Sequence, residues 1–267
     1  MSIISFLSDF GIKDAYVAEM KATIISINPL TRLIDITHEI DKFSIRKGAY
    51  VLASAAPYFP IKTIHLAVVD PGVGTKRQPI IVETKRSVYV GPDNGLLMLA
   101  AHKEKIINVY AIDNPKYMLS RVSKTFHGRD IFAPAAAYLT KGISPSEFGP
   151  EIHDYVFPNF VKSYIENGEL VGEILHIDDF GNVISNISGE DLKQAGVHKT
   201  NSLTVKINDK NFNLQFCSTY DNVPVNNPLT LIGSSNFLEF AVNQGSGSKF
   251  FNAKVGDLIT VSGNFSI

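Results

Sequence analysis

Short apolar runs alternate with amphipathic stretches over roughly the first 145 residues. The apolar runs are rich in β-branched residues and predict six β-strands, at residues 3–7, 32–36, 64–69, 80–84, 88–91 and 106–112. Their near-continuous hydrophobicity is typical of a sheet that is covered on both faces.

The amphipathic stretches predict helices at residues 15–27, 44–59, 94–104 and 130–142. In the first of these, Val17, Met20 and Ile24 recur at helical spacing behind Asp14, which we expect to be the N-cap. Strands and helices that alternate in this way predict an α/β/α layered, Rossmann-like domain.

The pattern then changes. Residues 142–160 are rich in proline, glycine and aromatic residues. From Glu169 onward short strands alternate with turn signals, and almost nothing has helical period, which predicts a small all-β, barrel-like domain. Within it, the segment 207–212 (IND-KNF) is expected to form a hairpin turn. The expected organisation is an α/β domain over residues 1–155, a linker over 156–168 and a β-barrel domain over 169–267.

Composition narrows the class of protein. A chain of 267 residues, 45% of them hydrophobic, is long enough for a substantial core and for two domains. The net charge of −1 indicates no basic surface for nucleic acid or an anionic membrane. The single Cys217 excludes an internal disulfide framework and any cysteine-rich metal site, and it fits a reducing compartment. The amino-terminal apolar run meets Asp9 too soon for a signal peptide, and no run approaches the roughly 20 apolar residues of a membrane span. We therefore expect a soluble, cytoplasmic protein that binds neither nucleic acid nor membrane.

The first candidate chemistry lies where a predicted strand ends on an acid. The apolar run 64–69 stops at Asp70, and a loop with two glycines then leads to Arg77. A phosphate cradle, a plain tight turn, and a catalytic carboxylate with its partner are the open interpretations. The loop matches neither the P-loop nor the dinucleotide-binding template. Pro71 and Gly72 suit the central positions of a type II turn, but a turn alone leaves unexplained an acid at the strand edge where α/β sheets bind ligands.

Two other segments offer similar chemistry. Asp9 also follows a predicted strand, and its carboxylate is suited to bridging the two hydroxyls of a ribose. The alternative for that segment is a turn at Gly11 and helix capping by Asp14. His127 comes directly before a predicted helix, either as a surface histidine or as a site residue. Its neighbours, Phe126, Gly128 and two charged residues, favour a site over a core position.

A metal site is a weaker candidate. The segment 35–41 groups four possible ligands without the fixed spacing of a known metal motif: Asp35, His38, Glu39 and Asp41.

The predicted β domain contributes two polar segments. Asn182 and Asn186 flank one strand-like turn, and an amide can donate to and accept from an adenine edge at once. The segment 232–248 places two serines and Glu239 in an otherwise apolar strand. Each segment taken alone is more often turn chemistry than a binding site.

Seven segments taken together resemble one known family. In order they are SDFG, DITHEI, VVDPGVGT, GPDNGLL, TFHGRDIFAPAAA, IDDFGNVISN and GSSNFLEFAVNQGS, and they are similar to the S-adenosylmethionine hydrolases, also called SAM hydroxide adenosyltransferases. This family is related to bacterial enzymes that fluorinate or chlorinate the same substrate. The resemblance covers both predicted domains. It implies that water displaces methionine at the ribose 5′ carbon, giving adenosine and L-methionine. It also implies a homotrimer with each pocket between the N-terminal domain of one subunit and the C-terminal domain of its neighbour.

The resemblance also implies roles for individual residues. Asp70, Arg77 and His127 match the hydrolase triad, and Asp70 with His127 favours water over halide as the nucleophile. The implied substrate-binding residues are Asp9 and Asp14 for ribose; Asp178, Phe180, Asn182 and Tyr220 for adenine and ribose; and Ser234, Ser235 and Glu239 for the methionine tail. The chain departs from the family pattern at Ser185, where threonine is common, and at Asn236, where glycine is common.

The chemistry needs no metal and no cofactor, because the sulfonium leaves as a neutral thioether. An Arg77 paired with Asp70 stabilises the ionised carboxylate and makes it a poorer base. The hypothesis is therefore that the triad holds and orients water, with His127 bonding to that water or relaying its proton. Two alternatives are a metal-dependent nucleotide or phosphoester hydrolase that uses Asp9, His38, Glu39 and His127, and a non-catalytic adenosine or S-adenosylmethionine sensor.

Overall fold

The computed structural model describes residues 2–197 and 202–262. Contacts between residues divide the chain into two compact units, residues 1–158 and 159–267. This division falls inside the interval 156–168 that was predicted as a linker, and the end of that interval contains a short strand. Within the described ranges, no helix has the length and apolarity needed to cross a membrane.

The first unit contains all six predicted strands and all four predicted helices. In chain order the elements are β1 (Ile3–Ser8), α1 (Tyr16–Ile27), β2 (Arg32–Thr37), α2 (Ile45–Ala55), β3 (Ile64–Val68), β4 (Pro79–Thr84), β5 (Val88–Pro92), α3 (Met98–Lys103), β6 (Ile106–Ala111) and α4 (Ala133–Thr140). One local prediction is wrong. The N-cap of α1 is Ala15, with no side-chain cap, and Asp14 is exposed one residue earlier.

The six strands form one mixed sheet in the order β2-β1-β3-β5-β4-β6. The first four in that order are parallel, and β4 is antiparallel to both of its neighbours. Ser8 of β1 pairs with Val68 of β3, so the carboxyl ends of these two strands lie side by side. Residues that follow them, Asp9 and Asp70, therefore leave the sheet at one edge, where open α/β sheets bind ligands.

Helices cover both faces of the sheet, as the continuous strand hydrophobicity predicts. Helices α1 and α4 pack together over the face that bears Phe6 and Leu66. Helices α2 and α3 pack together over the opposite face, where Gly48 of α2 lies close to Val69 and Leu96. Strand β3 is buried at every position, as expected of a central strand.

The second unit is a barrel. Its elements are β7 (Tyr164–Glu166), β8 (Glu169–Ile177), β9 (Val183–Ser188), α5 (Gly189–Gln194), β10 (Ser202–Ile207), β11 (Lys210–Cys217), β12 (Pro228–Ile232), β13 (Phe237–Val242), α6 (Gly247–Phe251) and β14 (Leu258–Ser262). Seven strands run in the order β14-β10-β11-β12-β13-β9-β8, and the pairing of β14 with β8 closes the ring. The short β7 pairs with the first part of β8. The all-β, barrel-like prediction is confirmed.

Local chemistry explains one turn of the barrel and one of its short helices. The predicted hairpin over 207–212 is present: Ile207 pairs with Lys210, so Asn208 and Asp209 form a two-residue turn, with Asn208 at a φ of 52°. Helix α5 was not predicted. It begins with a capping box in which Ser188 and Asp191 satisfy each other's backbone N–H groups.

Candidate active site

Asp70 and Arg77 form a buried ion pair at the carboxyl end of β3. Arg77 Nε donates to Asp70 Oδ1 at 3.1 Å, and Arg77 Nη2 donates to Oδ2. The two side chains are only 6% and 5% exposed. A bidentate guanidinium–carboxylate pair fixes both groups in plane, and burial makes the loss of either partner costly. The carboxylate is therefore held in one orientation.

His127 adjoins the same guanidinium. Its Nδ1 lies 3.1 Å from Arg77 Nη2. A guanidinium only donates, so Nδ1 must accept, and a neutral ring then carries its proton on Nε2. Burial lowers the pKa of His127, and the charge of Arg77 lowers it further, against the opposing effects of Asp70 and Asp130. His127 is therefore neutral near pH 7 and presents Nε2–H as a donor.

The loop between Asp70 and Arg77 turns differently from the sequence prediction. Val73 N donates to Asp70 O at 3.3 Å, but the φ of Gly72 lies outside the left-handed region, so the predicted type II turn is wrong. Gly74 has the positive φ instead, at 76°. A Cβ atom at Gly74 would lie 2.4 Å from Lys124 O. The missing side chain thus lets this loop approach the segment that leads to His127.

Asp9 follows β1 at the same edge of the sheet. The residue is 5% exposed, and its Oδ2 accepts a hydrogen bond from Phe43 N at 2.9 Å. Its other carboxylate oxygen has no hydrogen-bond partner among residues 2–197 and 202–262. One oxygen is therefore anchored and the other is available to a ligand. Asp14 is exposed.

In the barrel, Asp178 and Asn182 hold each other. Asp178 Oδ1 accepts from the backbone N–H groups of Phe180 and Asn182 at 3.0 and 2.8 Å, and its Oδ2 accepts from Asn182 Nδ2 at 2.9 Å. This leaves the side-chain oxygen Oδ1 of Asn182 and one hydrogen of its side-chain amide for a ligand. Both residues, with Tyr220 and the 83%-exposed Phe180, line an open cavity of about 640 Å³.

Glu239 is a buried acid on β13, and Tyr220 Oη donates to its Oε1 at 2.6 Å. Burial raises the pKa of Glu239; the Tyr220 bond opposes that rise and the charge of Asp178 adds to it. A Cβ at Gly233 would lie 2.6 Å from Glu239 Oε2, so the turn before β13 passes close to this carboxyl group.

Ser234 and Ser235 lie in that turn, between β12 and β13. Asn236, also in the turn, has a φ of 59°, a conformation that asparagine tolerates better than most residues other than glycine. This explains how the chain accommodates asparagine where the family commonly has glycine.

The three acids and one histidine of segment 35–41 do not gather into a metal site. His38 contacts Ser8 Oγ at 2.8 Å and Asp35 Oδ1 at 3.1 Å, while Asp41 pairs with Lys47 at 2.9 Å. In the part of the chain that the structure describes, no three His, Cys, Asp or Glu side chains are grouped to hold an ion. The metal interpretation of this segment is not supported by its geometry.

The structure also shows two residues beside the ion pair that sequence reasoning did not single out. Asn94 Nδ2 donates to Val69 O at 2.9 Å, and Asp93 N donates to Gln78 O at 2.9 Å. Burial raises the pKa of Asp93, and the charge of Arg77 lowers it. The two hydrogen bonds, to Val69 O and Gln78 O, fix the residues directly before and after the Asp70–Arg77 loop. The sequence signal of Asp93 and Asn94 was the turn-forming Asp-Asn-Gly after a predicted strand.

Comparisons with known proteins cover nearly the whole chain. Residues 4–149 match the SAM hydroxide adenosyltransferase N-terminal domain, and residues 172–260 match the C-terminal domain of that family. A relative from Methanocaldococcus jannaschii, named (R)-S-adenosyl-L-methionine hydrolase, is 36% identical over 98% of this chain and 96% of its own. A fluorinase from an Actinoplanes species is 27% identical over 97% of each chain. The crystal structure of an uncharacterized conserved protein from Thermotoga maritima is similar with a TM-score of 0.85 at 38% identity, over 97% of this chain and 100% of that one.

Proposed function

The chain belongs to the SAM hydroxide adenosyltransferase family, and from that premise we propose that it hydrolyses S-adenosyl-L-methionine to adenosine and L-methionine. One observation of the structure carries the proposal. A buried Asp70–Arg77 pair with His127 on the same guanidinium stands at the ligand-binding edge of the sheet. A fixed carboxylate, a fixed cation and a neutral imidazole donor suit the handling of one water molecule.

The reaction is a displacement at the ribose 5′ carbon. A water oxygen forms a bond to that carbon while the bond from carbon to sulfur breaks, and the electron pair leaves with the sulfur. The sulfonium becomes a neutral thioether, so the leaving group needs no acid, and we propose that no metal or cofactor takes part. The enzyme must still place water, a weak nucleophile, in line with the breaking bond between carbon and sulfur. Such positioning lowers the activation barrier by about 7–11 kcal/mol at its most favourable.

Each member of the triad has a proposed role. Asp70 accepts a hydrogen bond from the water and takes its proton as the new bond forms. His127 donates Nε2–H to one lone pair of the water and leaves the other lone pair free to attack. Arg77 fixes Asp70 with two hydrogen bonds and holds His127 Nδ1 with a third, so it sets the positions of the other two groups.

The remaining contacts are proposed from the family resemblance together with the geometry. The free oxygen of Asp9 suits a ribose diol, whereas Asp14 is carried by the resemblance alone. The proposed contacts in the barrel are Asp178, Phe180, Asn182 and Tyr220 for adenine and ribose, and Ser234, Ser235 and Glu239 for methionine. Glu239, as a buried acid, suits the methionine ammonium group, whose positive charge would draw it into the ionised form.

We further propose a homotrimer whose pockets form between the α/β unit of one subunit and the barrel of the next. The exposed Phe180, which lines the barrel's open cavity, leaves this surface accessible to a neighbouring subunit. The cytoplasmic location stays a prediction.

One assay tests the proposed function. Purified protein is incubated with S-adenosyl-L-methionine, with and without EDTA, and adenosine and methionine are quantified by chromatography. Equal amounts of both products, formed at the same rate with EDTA, are expected. Activity that EDTA abolishes would indicate a metal-dependent hydrolase instead, and binding without release of adenosine would indicate a sensor.

A further inference from the structure

A chain of polar side chains runs from the protein surface to the residue beside Asp9. Lys21 Nζ lies 2.6 Å from Asp35 Oδ2, and Asp35 Oδ1 lies 3.1 Å from His38 Nε2. On its other side, His38 Nδ1 lies 2.8 Å from Ser8 Oγ. Ser8 is the last residue of β1 and Asp9 follows it directly. The role proposed above for Asp9 does not use any of these four side chains.

The direction of this chain follows from its charges. Burial lowers the pKa of His38, against the opposing effect of Asp35, so its ring is neutral. The carboxylate of Asp35 favours the tautomer with hydrogen on Nε2, although the contact is poorly aligned as a hydrogen bond. His38 Nδ1 then accepts from the hydroxyl of Ser8. Phe10 N donates to the same Ser8 oxygen at 3.4 Å, so Ser8 is held from two sides.

The constellation has the composition of a nucleophilic serine–histidine–aspartate triad, but it does not act as one. Ser8 has no exposed surface, and His38 is 5% exposed. A nucleophile must reach the reacting atom, and no substrate atom can reach Ser8 Oγ in this position. The role left to the group is to hold the backbone around it.

The backbone that it holds is the one that carries Asp9. Gly11 N donates to His38 O at 2.7 Å, Phe43 N donates to Asp9 Oδ2 at 2.9 Å, and Lys42 Nζ donates to Asp9 O. The segment 38–43 therefore makes three hydrogen bonds to the loop that carries Asp9. The His38 side chain also ties the start of that segment to Ser8, at the end of β1.

We propose that His38 is a positioning residue for ribose binding: with Ser8, it fixes the loop that orients the free oxygen of Asp9 toward a ribose diol. The inference rests on the proposed function, because it takes the ribose of S-adenosyl-L-methionine as the partner of Asp9. A carboxylate that bridges two hydroxyls must be placed to within a fraction of an ångström, so a loosened loop lowers affinity before it affects the chemical step.

The chain offers a matched control. A second buried serine–histidine pair lies on the same strand, where Ser5 Oγ contacts His65 Nδ1 at 2.6 Å. Ser5 pairs with His65 in the register of β1 and β3, three residues before the edge that carries Asp9. Loss of this pair removes a buried polar contact of the same kind with no contact to the Asp9 loop.

The first experiment compares Ser8→Ala, His38→Leu and His38→Asn with His65→Leu. We expect Ser8→Ala and His38→Leu to raise KM for S-adenosyl-L-methionine about tenfold with kcat changed less than about threefold, the pattern of lost ground-state binding. His38→Asn keeps an acceptor near the position of Nδ1 and should restore most of the affinity. His65→Leu should lower the melting temperature and leave KM unchanged. A fall in kcat without a rise in KM, or an equal KM effect in the control, would overturn the inference.

The second experiment uses the 2′-deoxyribose analogue of S-adenosyl-L-methionine. If His38 acts through the ribose, the effect of His38→Leu on KM should shrink to less than about twofold with this analogue. An undiminished effect would show that His38 acts elsewhere. Calorimetric Kd values for both ligands separate this inference from the proposed function. Ribose-dependent binding without release of adenosine would refute the function and keep the inference, and no binding of either ligand would refute both.

Discussion

The replacement of Asp70 by asparagine tests the proposed chemistry most directly. The substitution keeps the size of the side chain and removes its charge. In the structure, both carboxylate oxygens accept from Arg77, and the two side chains are 5% and 6% exposed. An asparagine offers one acceptor oxygen to one of the two donating nitrogens of Arg77. It turns its own N–H donors toward the second nitrogen, where no hydrogen bond can form.

Two magnitudes follow. Loss of one charge-assisted hydrogen bond costs about 1.5–3 kcal/mol, and an uncompensated buried charge costs about 3–5 kcal/mol, so we expect the free energy of unfolding to fall by about 3 kcal/mol. The water loses its proton acceptor, and such groups contribute about 10²–10⁴-fold to rate. We therefore expect kcat of Asp70→Asn to fall by at least a hundredfold, while KM changes less than about threefold because Asp70 is not proposed to bind the ribose or methionine.

The assay combines chromatographic rates of adenosine release with urea unfolding monitored by circular dichroism. Rates are measured well below the melting temperature of the variant, so that unfolded protein does not account for lost turnover. Glu151→Gln is the control, because it neutralises an exposed carboxylate that faces His153 at 3.9 Å. This substitution should change the free energy of unfolding by less than about 0.5 kcal/mol and leave the rate of adenosine release unchanged.

Near-normal turnover of Asp70→Asn in a folded, substrate-saturated enzyme would refute the assignment of Asp70 as the acceptor of the water proton. A large rise in KM with unchanged kcat would also count against it, because the carboxylate would then be a binding group.

Three further outcomes are expected. Burial lowers the pKa of His65 to about 3, so below about pH 6.5 the unfolded chain takes up a proton at this residue and the folded protein does not. The free energy of unfolding should therefore fall by up to about 1.4 kcal/mol per pH unit as pH drops from 6.5 toward 3. In His65→Asn, urea unfolding measured at several pH values should show a smaller dependence of that free energy on pH. Gly74→Ala should lower the free energy of unfolding by about 1–3 kcal/mol and slow adenosine release, because its Cβ would lie 2.4 Å from Lys124 O at a φ of 76°; a variant with wild-type melting temperature and rate would contradict this. Glu239→Gln should raise KM about tenfold at nearly constant kcat by removing the charge that faces the methionine ammonium group, and an unchanged KM would remove Glu239 from the substrate site.

The sequence allowed the sheet and the barrel to be predicted because their signals are local. A fully buried strand such as β3 appears as an uninterrupted apolar run, and the Asn208 hairpin has a two-residue turn signature. Helices α5 and α6 were missed because five or six residues make less than two turns and give no period.

Other features depended on contacts that no local pattern contains. The type II turn at Pro71 and Gly72 was a sound local choice, but packing against Lys124 O places the positive φ at Gly74. His38 was grouped with its sequence neighbours as a metal ligand, whereas its partner Ser8 lies 30 residues earlier in the chain. Spatial partners of this kind follow from strand register, which a sequence pattern fixes only in part.

Both charged members of the triad stand on one short connection after β3, seven positions apart, and the imidazole stands at the start of another segment. None of the three lies within a strand of the sheet. The strand order of the sheet and the proposed water-handling groups are thus separable features, because the residues that pair the strands are not the residues of the triad. The strands therefore set where the reacting groups stand, and the connections set which groups they are.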